Sequence, residues 1–265
     1  MSVPALEQRP AAVLIDLAGV LHVGDAAVPG AVDALARLRQ AGLRLRFLTN
    51  TTRSPRARIA RMLTGLGFEV RGDEIQTAAA AARQVVDARG LAPFYLVHPD
   101  LAAEMGPGAE HPDAVVMGDM GPHLTYAHLN RAFRLLMDGA AFIAMARNRY
   151  FQEEDGLSLD MGAFVTGLEF SSGVGAEIVG KPAAGFFQAA LDAVGVPAGE
   201  AVLIGDDLHD DVGAAQDCGI AGILVRTGKY RPEDEHDEEV RPARVVDDFA
   251  AAVAHLLALA AEPRP

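Results

Sequence analysis

Four short stretches of the chain place polar side chains that could do chemistry at or near the ends of predicted strands. They are Asp16 after residues 13–15, Thr49 and Asn50 after residues 43–48, Lys181 after Val179 and Gly180, and Asp206 with Asp211 after residues 201–204. Because the carboxyl ends of parallel strands meet at one edge of a sheet, we expect these groups to converge there. Asp16 alone could equally be a turn or helix-capping residue, and the three later stretches argue against that interpretation.

This set of groups predicts phosphoryl transfer. Three carboxylates that share a pocket repel one another unless a cation lies among them. Oxygen ligands that leave room for water and a phosphate suit Mg²⁺. Lys181 would add a second positive charge, and Thr49 a hydroxyl group beside main-chain amides. Positioning and charge neutralisation supply most of the rate in such reactions, and a carboxylate is one established nucleophile.

The elements that must position these groups alternate between strands and helices. Continuous apolar runs typical of buried parallel strands occur at residues 13–15, 201–204 and 222–225, and we predict a further strand at residues 43–48. Helical patterns lie around residues 30–42, 55–66, 186–194 and 211–218. This alternation predicts an α/β fold with a doubly wound parallel sheet and right-handed crossovers.

The alternation changes in the middle of the chain, which predicts an inserted domain. Residues 75–177 have their own series of strands and helices, bordered by a polar stretch and a small-residue stretch. We therefore predict a core of residues 1–74 and 178–265 and an inserted α/β cap domain of residues 75–177. In this interpretation a helix begins at Ile75, and the core resumes after Glu177.

Composition excludes several classes of partner. The formal net charge of −13 argues against nucleic acid, whose phosphates require a basic surface. No apolar run approaches the roughly 18 residues of a membrane span. Cys218 is the only cysteine, which rules out an internal disulfide bond and favours a cytoplasmic location. A small phosphorylated substrate is compatible with the charge, since a metal ion and one lysine invert the local field.

The order of Asp, Thr, Lys and a final acidic pair around an insertion resembles the haloacid dehalogenase-like (HAD-like) hydrolase superfamily over nearly the whole chain. The resemblance implies a Rossmann-like core with a cap domain, Mg²⁺ as cofactor and an aspartyl-phosphate intermediate. By position it implies that Asp16 is the nucleophile and a metal ligand, and that the Ala18 main-chain oxygen and the Asp206 side chain are the other metal ligands. Asp211 would hold a metal-bound water or orient Lys181. The phosphoryl-binding groups would be Thr49, Asn50 and Lys181. Homodimers are common in this family, so a homodimer is a further expectation.

One departure from the family pattern bears on activity. Most phosphatases of this family have a second Asp two residues after the nucleophile as general acid and base, and here that residue is Ala18. General acid–base groups contribute about 10²- to 10⁴-fold to the rate. We therefore expect alkyl phosphates to react slowly, whereas aryl phosphates, pyrophosphate and acyl phosphates should suffer less. His22 could replace the missing acid or be a solvent-facing loop residue, and Asp207 and Asp210 could be site residues or helix N-caps.

Three other functions compete with this interpretation. A phosphate-binding protein with little or no turnover is the main alternative, since Ala18 is also what a decayed enzyme would show. A response-regulator receiver uses Asp, Thr and Lys on a similar sheet, but its acceptor Asp lies on the third strand and it lacks a large insertion. A dinucleotide-binding dehydrogenase is disfavoured because no G-x-G-x-x-G follows the first strand.

Overall fold

The computed structural model describes residues 6–153 and 156–259. The strands within these residues are β1 (Ala12–Asp16), β2 (His22–Val23), β3 (Ala26–Ala27), β4 (Arg44–Thr49), β5 (Ile75–Thr77), β6 (Pro93–Leu96), β7 (Ala114–Met117), β8 (Ala141–Ala144), β9 (Tyr150–Glu153), β10 (Gly156–Leu159), β11 (Glu177–Ile178), β12 (Ala201–Gly205), β13 (Ala221–Val225) and β14 (Arg244–Val246). The α-helices are α1 (Ala31–Gln40), α2 (Arg56–Gly65), α3 (Ala78–Arg89), α4 (Ala102–Met105), α5 (Tyr126–Met137), α6 (Gly162–Ser172), α7 (Ala184–Val194), α8 (Ala214–Asp217) and α9 (Phe249–Ala258).

The chain divides into two compact units. The core unit consists of Met1–Thr49, Arg56–Gln76 and Lys181–Pro265, and the inserted unit consists of Asn50–Pro55 and Thr77–Gly180. The long segment of the inserted unit thus runs from 77 to 180 rather than from 75 to 177, and a short segment after β4 joins it.

A parallel sheet lies at the centre of the core unit. Among the described residues its strand order is β14-β13-β12-β1-β4-β5. Strand β1 pairs in parallel with β12 on one side and with β4 on the other, so the direction of winding reverses at β1. Ligands of open α/β sheets bind beyond the carboxyl ends of the strands at such a reversal. Asp16, the last residue of β1, lies at this position.

The central strands are continuous apolar runs because both faces of the sheet are covered. Every residue of β1, β12 and β13 is buried. On one face, Val13 and Ile15 belong to a hydrophobic cluster with Leu38 of α1 and Phe249 of α9. Helix α7 packs against β4 and buries Phe187. The predicted doubly wound α/β core is therefore confirmed.

One strand of the core sheet differs from the expectation for its segment. Residues 75–77 form β5 at the edge of the sheet rather than the first turn of a helix. Gln76 and Thr77 are fully buried there. The helix begins only at Ala78, because the Thr77 hydroxyl accepts a hydrogen bond from the Ala80 amide at 3.0 Å and caps it.

The inserted unit has its own parallel sheet, in the order β11-β8-β7-β6, and a β9–β10 antiparallel hairpin. Strand β11 pairs with β8, and the inserted unit continues to Gly180. A two-residue strand carries no periodicity that sequence analysis could use. Glu177 also forms an ion pair with Arg89 of α3 at 2.6 Å.

Helices of the two units are short relative to a lipid bilayer. Among the described residues, none combines the length and the apolar character that crossing a membrane requires.

A charged pair fastens the end of α1 to the segment that precedes β5. The Arg39 guanidinium donates two hydrogen bonds of 2.8 Å to the two oxygens of Glu74. Glu74 also accepts a hydrogen bond from the Arg71 amide at 2.9 Å, and its side chain is only 9% exposed. Burial opposes ionisation of Glu74, but these hydrogen bonds outweigh it and lower its pKa.

Replacing Glu74 by Gln should lower the free energy of unfolding by about 1–3 kcal/mol at pH 7, because charge-assisted hydrogen bonds are lost from a buried group. Folding lowers the pKa of Glu74. Its contribution to the free energy of unfolding is therefore fully present at pH values above the unfolded-state pKa of about 4.3, and is lost as the pH falls through the folded-state pKa. The difference between the two proteins should therefore shrink at about pH 3.5. Urea unfolding at both pH values measures it.

The matched control is Asp247→Asn. The Asp247 side chain is 82% exposed and forms an ion pair with Arg226. Exposed pairs contribute little, so this variant should lose no more than about 0.5 kcal/mol. Equal losses in the two variants would contradict the role assigned to Glu74.

Candidate active site

A buried lysine joins two carboxylates at the carboxyl edge of the core sheet. The Lys181 amine donates to Asp16 Oδ1 at 2.5 Å and to Asp211 Oδ1 at 2.6 Å. The three side chains are no more than 7% exposed. Asp16 ends β1, Lys181 begins the last segment of the core unit, and Asp211 follows β12, so the fold brings together groups that are far apart in the sequence.

The third carboxylate, Asp206, is buried in a setting that only glycines permit. It follows β12 and accepts a hydrogen bond from the Lys229 amide at 2.8 Å. A β-carbon at Gly19 or at Gly228 would overlap Asp206 Oδ2, and both glycines have positive φ, +86° and +62°. Side chains are therefore excluded from two sides of the Asp206 carboxylate by conformation and by space.

A π-helix over Leu208–Gly213 carries Asp211 and leads into α8. The Asp207 carbonyl accepts from the amides of both Asp211 and Val212 at 3.2 Å, which gives the wider turn. The Asp207 side chain caps this helix by accepting from the His209 and Asp210 amides. Of the two interpretations of Asp207, the structure thus shows the helix N-cap.

The remaining predicted residues lie along the same stretches. Thr49 is the buried last residue of β4, beside β1. Asn50 follows it as the first residue of the inserted unit, where its Oδ1 would lie 2.8 Å from a β-carbon at Gly180. Ala18 is exposed, and its backbone forms a bridge with His22. The His22 ring Nδ1 lies 2.9 Å from the Gly24 carbonyl within the β2–β3 hairpin.

Burial sets the protonation equilibria of the site. It raises the pKa of Asp16 to about 7; the Lys181 amine opposes this rise, and Asp211 and Asp206 add to it. Burial also raises the pKa of Asp206 to about 6, against the hydrogen bond from the Lys229 amide. Burial acts to lower the pKa of Lys181, but the two carboxylates that it contacts outweigh burial and raise it. The lysine therefore stays charged at neutral pH.

These residues fit a small divalent cation. Asp16, Asp206 and Asp211 each offer a carboxylate oxygen, and the three oxygens lie within 4.8 Å of one another. Three ionised carboxylates and one ammonium group carry two negative charges in excess, in a buried place where such an excess is costly. Mg²⁺ prefers carboxylate oxygens, binds through one or two of them, and keeps waters and substrate phosphates as its other ligands.

Comparison with known proteins gives the family. A family profile described as "Haloacid dehalogenase-like hydrolase" matches residues 13–105, and one described as "HAD-hydrolase-like" matches residues 178–252. The human protein named haloacid dehalogenase-like hydrolase domain-containing protein 2 is 47% identical over 247 residues, which cover 93% of this chain and 95% of that protein. The chain belongs to the haloacid dehalogenase-like hydrolase family.

Other members of the HAD-like family are also similar over most of their length. Human phospholysine phosphohistidine inorganic pyrophosphate phosphatase is 42% identical over 252 residues, covering 92% of this chain and 93% of that protein. The structure of 4-nitrophenylphosphatase from Thermotoga maritima has a TM-score of 0.86 at 27% identity and covers 93% of this chain and 97% of that chain. NagD from E. coli has a TM-score of 0.83 at 26% identity, covering 94% and 98%.

The loop after β13, which no pattern in the sequence indicated, contacts Gly19 after β1 and Asp206 after β12. The Thr227 hydroxyl donates a hydrogen bond to the Gly19 carbonyl, and the Lys229 amide donates to Asp206. The only signal in the sequence was a Thr-Gly pair after an apolar run, which is common in loops of many kinds. The positive φ of Gly19 has no signal in the sequence beyond the identity of the residue.

Replacing Lys181 by Met should lower the free energy of unfolding by about 3–5 kcal/mol in the absence of divalent cations, because it leaves two buried carboxylates without their shared cation. The control is Lys229→Met, since Lys229 is the chain's only other lysine and its side chain is 69% exposed. That variant should lose about 1 kcal/mol or less. Urea unfolding in EDTA measures both, and losses of similar size would contradict the weight given to the Lys181 contacts.

Proposed function

We propose that this HAD-like hydrolase is a Mg²⁺-dependent phosphatase that hydrolyses small phosphoric monoesters or phosphoanhydrides through an aspartyl-phosphate on Asp16. The observation that carries the proposal is the convergence in one buried cluster of Asp16, at the end of β1, with Lys181, Asp206 and Asp211, which lie in the last segment of the core unit. The names of the similar proteins support the reaction class, since two of them are phosphatases.

Each residue has a defined task in this reaction. An oxygen of Asp16 attacks phosphorus and forms a new P–O bond while the bond to the leaving group breaks, and the leaving oxygen departs with the electron pair. Lys181, hydrogen-bonded to Asp16, lowers the repulsion between the carboxylate and the anionic phosphoryl group. Water then attacks phosphorus, the acyl phosphate P–O bond breaks, and phosphate and the Asp16 carboxylate are released.

The remaining polar residues bind and orient. We assign Thr49 and Asn50 to the phosphoryl oxygens, because Thr49 ends the strand beside Asp16 and Asn50 follows it. Mg²⁺, held by Asp16, Asp206 and the Ala18 carbonyl near Asp211, would neutralise the phosphoryl oxygens. For Asp211, the 2.6 Å contact with Lys181 supports the orienting role over the water-holding role.

The residue that determines substrate preference is Ala18. It offers no proton to a leaving oxygen, so the leaving group must depart as a stable anion or take its proton from water. This favours aryl phosphates and anhydrides over alkyl phosphates. The same residue supports a second candidate, a phosphate-binding protein with little or no turnover, and the experiments below separate the two.

Asp16→Asn should abolish Mg²⁺-dependent release of p-nitrophenol from p-nitrophenyl phosphate, with a loss on the order of 10³-fold or more, because an amide is a poor nucleophile. EDTA should likewise abolish the wild-type reaction, and added Mg²⁺ should restore it. The control is Asp33→Asn on the exposed side of α1, which should keep wild-type kcat.

The outcomes of that assay discriminate between the candidates. Absence of turnover in the wild type, together with retained binding of inorganic phosphate, would establish the binding protein. Turnover in Asp16→Asn equal to wild type would exclude Asp16 as the nucleophile.

Aryl phosphates should exceed alkyl phosphates in kcat/KM by about 10²-fold or more, because the wild type has no general acid at residue 18. Ala18→Asp should raise kcat/KM for alkyl phosphates toward the level for aryl phosphates and change the aryl value by less than about tenfold. Steady-state kinetics on matched alkyl and aryl esters measure both ratios. Similar values for both substrates in the wild type would refute the effect assigned to Ala18, and His22→Ala would then show whether His22 supplies the proton.

We further propose a cytoplasmic location, a substrate that is a small phosphorylated molecule rather than nucleic acid, and a homodimer. The net charge of −13 and the single cysteine support the first two. The homodimer stays a prediction from the family.

A further inference from the structure

We propose that the loop Thr227–Lys229 is a positioning element of the active site, which holds the metal-binding ends of β1 and β12 and the helix of Asp211 in register. The inference rests on the proposed function, since it concerns the affinity of the site for Mg²⁺. The loop follows β13, which pairs with β12 but not with β1. It contacts the backbone of Gly19 and the carboxylates of Asp206 and Asp207.

The first contact fixes the backbone after β1. The Thr227 hydroxyl donates to the carbonyl of Gly19, the residue next to Ala18. The Gly19 amide also donates to the His22 carbonyl at 2.7 Å, so the peptide groups before and after the Gly19 α-carbon are both hydrogen-bonded. The Ala18 carbonyl is an expected metal ligand. Because it is a main-chain group, its direction is set by the backbone conformation and not by the rotation of a side chain. Thr227 is the side chain that restrains this conformation.

The second contact fixes Asp206. The Lys229 amide donates to Asp206 Oδ2 at 2.8 Å, which leaves Oδ1 for a cation. The approach is close because Gly228 has no side chain: a β-carbon there would lie 2.6 Å from the Gly19 α-carbon and would overlap Asp206. The loop and the β1 end thus touch each other and the same carboxylate.

The third contact reaches the π-helix. The Lys229 amine lies 3.0 Å from Asp207 Oδ2, while Asp207 Oδ1 caps the helix that carries Asp211. The Asp207 amide in turn donates to Asp211 Oδ2 at 3.3 Å. Asp207 therefore links the loop to the helix through both of its carboxylate oxygens.

Through these contacts the loop would position the groups that bind the ion, although the loop itself supplies no ligand. Partners that orient metal ligands change metal affinity by about 10- to 100-fold when removed. Thr227 and Lys229 should therefore affect the dissociation constant for Mg²⁺ more than they affect the stability of the metal-free protein.

The experiment is calorimetric titration of the full chain with MgCl₂ alone, combined with the melting temperature in EDTA. Thr227→Val keeps the side-chain shape and removes the hydroxyl group, so Kd should rise by at least about tenfold, whereas Thr227→Ser should bind like wild type. Lys229→Met should raise Kd less, by about two- to fivefold, since its exposed ion pair is weak and the amide contact to Asp206 is retained.

Matched controls come from the same unit. Thr64→Val also removes a hydroxyl-to-carbonyl hydrogen bond, the 2.8 Å bond to Ala60 in α2, away from the carboxylates. Arg226→Met removes an exposed cation that precedes the loop and pairs with Glu235 and Asp247. Both controls should keep the wild-type Kd for Mg²⁺.

The outcomes separate this inference from the proposed function. If the wild type binds no Mg²⁺, the metal-dependent function fails. If the wild type binds Mg²⁺, and if both Thr227→Val and Lys229→Met bind it with the wild-type Kd, the proposed function stands and the positioning role is overturned. A lower melting temperature of Thr227→Val in EDTA with an unchanged Kd would also overturn it, because the loop would then be merely structural. Should Thr227→Val fail to fold, Lys229→Met, altered at an exposed side chain, decides the question.

Discussion

Burial of three carboxylates around a single ammonium group is the constraint that governs the rest of the core unit. Asp16, Asp206 and Asp211 are at most 5% exposed, and the Lys181 amine contacts two of them. Such a cluster of carboxylates repels itself and requires a framework that resists its expansion. The sheet supplies the framework, since β1 and β12 are fully buried neighbours joined by a continuous parallel ladder.

The framework works through the backbone as much as through side chains. Asp206 is held by an amide of the loop after β13, Asp211 by an amide at the start of the π-helix, and the segment after β1 by hydrogen bonds of Gly19. Amides and glycines allow close approach without adding charge to a site that already has too much of it. The carboxylates are thus held in position by neutral hydrogen-bond donors.

The sequence predicted best where burial on two faces and a chemical pattern agree. Residues 13–15 and 201–204 were recognised as strands because a buried parallel strand is a continuous apolar run, and the acids after them were recognised because strand ends converge. The pattern of β5 was hidden, since Ile-Gln-Thr gives no alternation and a run of alanines follows. The β9–β10 hairpin and α6 were missed, because their half-exposed residues carry weak periodicity. The Thr227 and Lys229 contacts depend on backbone geometry across strands, which no single-sequence pattern records.

The π-helix after β12 makes the number of residues between Asp206 and α8 as important as their identity. A π-turn contains one residue more than an α-helical turn, and successive residues of an α-helix are rotated by about 100°. Deleting one residue from Leu208–Gly213 would restore ordinary helical winding and rotate either Asp211 away from Lys181 or α8 away from the sheet. Homologous sequences that keep this chemistry should therefore vary in composition along this segment while its length stays constant, whereas insertions and deletions accumulate in loops that support no ligand.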